Sequence, residues 1–327
     1  MKKKRKKTIL IIAFIALAIA AYFYVDSLLF DGVRPVHIKN KSFKGRLFVK
    51  NELKDMPAIV LIGGGEWGDY WAQEFAKADY AGFSLDYMGH EGLPMLLEEI
   101  PLEYFQEAIK WLKVRKGIRP NKVVLMGASR NAELSLLIAS YFPESVDGVI
   151  AYCPSSVSWS NTVHPFNSDL IKPSWTFEGE AIPFVPMQKF KGNESVHIET
   201  LEYWMKPLLD SSIAEENAIR IERIKGPILL LSGRDDKVWP ASFMSDMMAK
   251  RLIDSSFLFD FQNIQYDNAG HLISGHPNQS LQSQQGKMTI NGKEYTYNFG
   301  GTAAGDQAAK RDAAQRVFNY LSELKNE

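Results

Sequence analysis

The stretch Val123-Val124-Leu125-Met126-Gly127-Ala128-Ser129-Arg130-Asn131-Ala132-Glu133 reads as a strand, a sharp turn and the start of a helix. Four apolar residues in a row, two of them β-branched, suit a strand covered on both faces. Gly127 supplies a residue without a side chain at the bend. A serine on such a turn carries its hydroxyl above the sheet, at the positive end of the following helix, where a developing anion is favoured. The spacing approaches G-x-S-x-G, the pattern of an exposed nucleophilic serine. Asn131 stands where that pattern has its second glycine. Asparagine tolerates left-handed backbone angles better than other side-chain-bearing residues, but it needs room. Taken alone, the stretch also fits an ordinary serine near a helix start.

Outward from this point, apolar β-rich runs alternate with helical patterns, the signature of a mostly parallel sheet. The strands read as Ala58–Ile62, Phe83–Tyr87, Val123–Met126, Val146–Tyr152, Ile228–Ser232 and Ile264–Tyr266. Leu102, Phe105, Ile109 and Leu112 form an apolar stripe with Pro101 in the first turn. Further helices run from Ala241 to Leu252 and from Asp306 to Leu324, the last burying Val317, Phe318 and Leu321. Val33–Lys50 reads as a short antiparallel pair, with His37 a solvated strand residue. Residues 155–222 break the alternation with serines, prolines and aromatics, Trp159, Trp175 and Trp204 among them. They read as a lid, whose aromatics suit either an acyl pocket or the lid's own core. Residues 288–299 read as a hairpin turning at Asn291-Gly292.

A serine hydroxyl becomes a nucleophile only when a histidine takes its proton, and a carboxylate orients that histidine. After the run Pro227–Ser232 comes Gly233-Arg234-Asp235-Asp236-Lys237-Val238-Trp239-Pro240, a strand end bearing two aspartates. Asp236 is the expected acid and Asp235 the alternative. The next strand ends in Asn268-Ala269-Gly270-His271. The order Ser129, Asp236, His271 is that of the α/β-hydrolase fold. His276 is the alternative base; His90, His164 and His197 precede the acid and read as surface or lid residues. Gly63-Gly64-Gly65-Glu66-Trp67-Gly68 follows the first buried strand. Its backbone N–H groups, from Gly65 or Glu66, are expected to meet an oxyanion together with that of Arg130. A phosphate loop is the other reading of a glycine run, but Gly-Lys-Ser/Thr is missing.

Residues 2–7 are all Lys or Arg and hold six of the 38 basic side chains, leaving 32 against 38 acidic ones, about −6. Such a body offers no footprint for nucleic acid. Thr8 to Val25 is uncharged and apolar; as a helix it rises roughly 27 Å, enough to cross a bilayer core. Basic residues on its N-terminal side hold that end in the cytoplasm and place the body outside. The expected layout is a basic cytoplasmic tail (1–7), a single-pass membrane anchor (8–25) and one domain (31–327). Ala18-Ile19-Ala20 also resembles a cleavage site, so secretion after signal cleavage is the alternative. Cys153 is the one cysteine, which excludes an internal disulfide, and it reads as a small buried hydrophobe. No cluster has metal-ligand spacing, and no cofactor is expected.

With these residues in place, the chain resembles the C-terminal catalytic domain of the acyl-CoA thioesterase and bile acid-CoA:amino acid N-acyltransferase family, relatives of dienelactone hydrolase. The resemblance spans about residues 58–324. It takes in the glycine turn 63–68, Asp86-Tyr87, Glu91-Gly92-Leu93-Pro94, Leu102-Glu103-Tyr104-Phe105, Ala132-Glu133, Gly226-Pro227, His271 and Gly300-Gly301-Thr302. It implies an α/β-hydrolase fold: a mostly parallel sheet flanked by helices, with a lid insertion (155–222) after the sixth strand, here preceded by a transmembrane helix. The family's N-terminal immunoglobulin-like domain is missing, and the anchor and strand pair stand in its place. Members that act as N-acyltransferases use cysteine as nucleophile, so Ser129 implies water as acceptor. The expected function is hydrolysis of an acyl ester or thioester. The resemblance implies acyl-CoA, whereas a body outside the membrane would not normally meet CoA. Acyl transfer to an amine or alcohol, and a catalytically silent binding protein, are the alternatives.

Overall fold

The computed structural model describes residues 2–30, 32–50, 54–161, 170–187, 196–280, 283–290 and 292–326. Its central sheet has eight strands: β1 (Pro35–Lys39), β2 (Lys44–Phe48), β3 (Met56–Ile62), β4 (Ala81–Asp86), β5 (Ile118–Ala128), β6 (Gly148–Tyr152), β7 (Ile228–Gly233) and β8 (Phe261–Tyr266). They lie in the order β1-β2-β4-β3-β5-β6-β7-β8. β1 pairs antiparallel with β2, and β2 antiparallel with β4; every later pairing in this sheet is parallel.

The helices are α1 (Lys2–Phe30), α2 (Gly65–Lys77), α3 (Leu102–Lys113), α4 (Arg130–Tyr141), α5 (Thr200–Leu208), α6 (Ser211–Glu216), α7 (Ala241–Asp254) and α8 (Ala303–Asn326). Successive side chains of a strand face opposite sides of the sheet, so β3 serves two cores. Ala58, Val60 and Ile62 join Phe105, Ile109 and Leu112 of α3 and Leu134 of α4 on one face. Ile59 and Leu61 join Trp71 and Phe75 of α2 and Val317 and Leu321 of α8 on the other. Burial on both faces is what the unbroken apolar runs foretold. The fold is the α/β-hydrolase fold, and the sheet is mixed only through β1 and β2.

Two local expectations change. Residues 63–68 read as a glycine-rich turn, but α2 begins at Gly65. Low glycine propensity hid that helix start. Pro101 sits just before α3 in an extended conformation (φ −75°, ψ 133°) rather than within its first turn.

After β6 the chain enters the lid. Trp159 and Trp175 are fully buried and Trp204 nearly so. Trp159 packs edge-on against Trp204, and Trp204 against Trp239. These aromatics match neither reading alone: Trp159 and Trp204 join the core that holds Trp71 and Trp239, and Trp175 joins the core of Phe105 and Ile109. Residues 162–169 and 188–195 lie outside the described residues, His164 among them. The hairpin pairs Gln285–Ile290 with Lys293–Asn298, Ile290 opposite Lys293. Gly292 takes a left-handed φ of 77°; Asn291 lies outside the described residues. The lid's short strand His197–Ile198 adds to the hairpin's second strand.

α1 runs unbroken past Val25 to Phe30, and its segment Lys6–Phe30 is long and apolar enough to cross a membrane, with none of it buried against the body. A signal sequence has the same character. The Phe30 carbonyl accepts from Val33 N–H at 2.8 Å and from the Gln73 side chain of α2 at 3.0 Å. The fully buried Val33 follows at once.

Candidate active site

β5 delivers Ser129 to the sheet's C-terminal edge, and α4 starts on the next residue. Ser129 takes φ 58°, ψ −124°, a conformation that costs a residue with a side chain about 1–3 kcal/mol. It persists because both peptide groups are tied. Ser129 N–H donates to the Tyr152 carbonyl at 2.9 Å, and its own carbonyl accepts from Ala132 and Glu133 N–H at 2.9 and 3.1 Å.

Asn131 does not take the left-handed angles that its place in the motif suggested; it is a regular residue of α4. The close approach of helix to strand falls at Gly127 instead, where a Cβ would lie 2.2 Å from the Asn131 carbonyl oxygen. The Asn131 side chain covers Gly63, whose absent Cβ would lie 2.2 Å from Nδ2. Its Oδ1 accepts from Tyr87 OH at 2.7 Å. Burial pushes the Tyr87 phenol up, which keeps that donor protonated.

Ser129, His271 and Asp236 come together. His271 Nε2 lies 3.1 Å from Ser129 Oγ, and Nδ1 lies 2.7 Å from Asp236 Oδ2. Asp236 is buried, and its second oxygen accepts from Val238 and Trp239 N–H at 2.8 and 3.2 Å. Asp235 is exposed. Of the two aspartates, only Asp236 reaches the histidine. A strap, residues 299–302, holds both partners: His271 N–H donates to the Phe299 carbonyl at 2.9 Å, and Thr302 N–H to the Asn268 carbonyl at 2.9 Å. Gly300 bridges to Asp236 and Gly301 to Ala269. Gly300 has φ 80°, and a Cβ there would lie 1.8 Å from the Asp235 carbonyl oxygen. The Gly300-Gly301 pair therefore has a mechanical reason to be glycine.

The other histidines among the described residues stand apart. His276 stacks on Tyr70 of α2, His197 lies 3.2 Å from Thr296 in the small sheet, and His37 is exposed in β1. His90 is 4.0 Å from Asp86.

Gly65 N–H donates to Asp86 Oδ1 at 3.1 Å, which removes it from the candidate oxyanion donors. Glu66 N–H lies in the first turn of α2 and Arg130 N–H in the first turn of α4, where amides lack helical acceptors. Asp86 is itself held bidentately by Arg46, at 2.8 and 2.9 Å, and Arg46 also binds Asp69 at 2.7 Å. The role of Asp86 was missed from sequence, though a charged residue ending an apolar strand is a usable signal.

Glu133 was also missed. It is fully buried one turn into α4 and pairs with Arg130 at 2.7 Å. Its other oxygen accepts from Trp159 N–H at 3.0 Å and Trp175 Nε1 at 2.8 Å, while Arg130 also donates to Ser174 Oγ at 2.5 Å. Burial pushes the Glu133 carboxyl up and the Arg130 guanidinium down, and each charge opposes the other's shift. The pair rivets the segment of Trp159, Ser174 and Trp175 to the helix that follows the serine. Beside it opens a cavity of about 300 Å3, lined by Tyr87, Met88, Met95, Leu97, Arg130 and Asn131.

The family described as BAAT / Acyl-CoA thioester hydrolase C terminal matches residues 100–326. Mouse mitochondrial acyl-coenzyme A thioesterase 2 is 28% identical over 294 residues, 89% of this chain and 60% of that protein. Mouse acyl-coenzyme A thioesterase 1 is 27% identical and human acyl-coenzyme A thioesterase 6 is 25% identical, each over 89% of this chain and 65% of the relative. The chain thus spans roughly three-fifths of the length of these relatives. Among solved structures, a dienelactone hydrolase, itself named by likeness, from Klebsiella pneumoniae superposes with TM-score 0.54 at 12% identity, covering 89% of this chain and 98% of that one.

Proposed function

Because the chain belongs to the BAAT / acyl-CoA thioester hydrolase C-terminal family, we propose that it is a serine hydrolase that cleaves an acyl thioester or carboxylic ester through Ser129, His271 and Asp236. His271 Nε2 takes the Ser129 proton as Oγ attacks the acyl carbon, and Asp236 stabilises the imidazolium. The amides of Glu66 and Arg130 receive the oxyanion. His271 then protonates the leaving thiol or alcohol. An acyl-enzyme remains, which water attacks with His271 again as base. The unbroken Ser129–His271–Asp236 hydrogen-bond chain, on a serine held in a strained turn, carries this reading.

The relatives' names make acyl-CoA the first substrate to test. The cavity lined by Met88, Met95 and Leu97 suits an apolar acyl chain. α1 is read as a single membrane anchor with its basic end cytoplasmic, and secretion after cleavage within it is the alternative. A fluorophosphonate probe should label the protein and fail on Ser129→Ala. An unlabelled intact protein would point to a silent binding protein. A panel of chromogenic esters and acyl-CoA thioesters then defines the leaving group: turnover of esters with indifference to CoA would remove acyl-CoA as substrate.

The Asp86 carboxylate positions the turn that presents Glu66. Asp86→Asn is expected to lower kcat by about 10²-fold, the scale of one lost oxyanion donor, while KM changes little. A rise in KM at constant kcat would assign Asp86 to substrate binding instead.

A further inference from the structure

Cys153 stands one residue past the end of β6 with a left-handed φ of 44°. Its thiol donates to the His271 carbonyl at 3.3 Å. Its sulfur, a carboxylate oxygen of Asp236 and a ring nitrogen of His271 all lie within 4.8 Å of one another. A thiol, an imidazole and a carboxylate are the donors zinc prefers. Metal–ligand bonds of about 2.0–2.3 Å hold two donors of one ion within about 4 Å of each other, so a small contraction closes the set. Sequence spacing hides it, because Cys153 and His271 are 118 residues apart.

We propose that Cys153, Asp236 and His271 form an inhibitory site for a thiophilic divalent cation, zinc or cadmium, which switches the hydrolase off by withdrawing His271 from Ser129. The inference rests on the role given to His271 above. Nδ1 is the ring nitrogen beside Asp236, at 2.7 Å, and Nε2 faces Ser129 Oγ at 3.1 Å. When the cation binds, the Cys153 sulfur–hydrogen bond breaks, a metal–thiolate bond forms and the proton leaves to solvent. The Nδ1 lone pair bonds the metal, and the single imidazole proton passes through solvent to Nε2. No electron changes hands. Nε2 then donates rather than accepts, so Ser129 keeps its proton. Of the three donors, His271 is the most exposed, its side chain 11% against 2% for Asp236.

The test uses the full chain. Zinc titrated into an ester assay should inhibit it, with activity restored by a chelator. With each variant normalised to its own metal-free rate, Cys153→Ser should raise the half-inhibitory concentration by at least about tenfold, the lower end of what even an outer-sphere partner is worth. Binding is read separately in Ser129→Ala, which keeps all three donors. One equivalent of cadmium should produce thiolate-to-metal ultraviolet absorption, and with one cysteine in the chain its source is unambiguous. Equal inhibition of wild type and Cys153→Ser, or no cadmium–thiolate band, would overturn the site. A band in a protein whose activity survives Ser129→Ala would keep the metal site but overturn its action on the catalytic histidine.

Discussion

Ser129→Ala is expected to lower kcat on any hydrolysed ester by about 10⁴–10⁶-fold, the range seen when a triad nucleophile is removed. Asp236→Asn should lower it by about 10⁴-fold, because an amide beside Nδ1 favours the tautomer with its proton on Nε2. The two changes combined should do little more than Ser129→Ala alone, since the residues act as one unit. Asp235→Asn, at the neighbouring exposed position, should leave the rate within about twofold, as most surface changes do. Steady-state kinetics on the purified variants checks all four. A Ser129→Ala protein that keeps a tenth of its activity would remove the serine from the mechanism.

The second large effect is on stability. Glu133→Ala should destabilise the fold by about 3–5 kcal/mol, because it leaves the Arg130 charge buried without its partner. The Trp159 amide and the Trp175 indole lose their acceptor in the same step, and each orphaned donor adds about 1–3 kcal/mol where the lid does not relax. Glu133→Gln keeps the side-chain length and one acceptor, so it should cost less. Replacing both charges together, as Arg130→Met with Glu133→Leu, should recover much of the loss. Urea unfolding followed by tryptophan fluorescence measures each step. If Glu133→Ala unfolds at the wild-type midpoint, the ion pair does not hold the lid.

Much of this was legible in the sequence for a plain physical reason. Strands buried on both faces must be apolar throughout, so Ala58–Ile62, Val123–Met126 and Ile228–Ser232 announced themselves, and strand ends are where such a sheet places polar residues. Spacing favoured Asp236 over Asp235, and of the two Asp236 is the buried one. What stayed hidden depends on contacts between distant segments. Asn131 looked like a flaw in the motif until Gly63 and Tyr87 proved to be its neighbours. Glu133 lies 26 residues from Trp159 and 42 from Trp175, and no local pattern marks a carboxylate that waits for a lid. The start of α2 was masked by glycines, which are read as turn wherever they cluster. Cys153 looked inert because its two companions belong to other strand ends.

The strap at 299–302 has a consequence for heat. It grips the loop carrying Asp236 on one side and the loop carrying His271 on the other, and it is an irregular segment between the hairpin, where Phe299 N–H donates to the Gln284 carbonyl, and the start of α8. Irregular segments outside the sheet ladder open at lower free energy than the global transition. As temperature rises, the acid and the base should therefore come adrift in a single sub-global event, leaving Ser129 on its turn with no proton acceptor. Activity should fade several degrees before the sheet melts, and it should return on cooling.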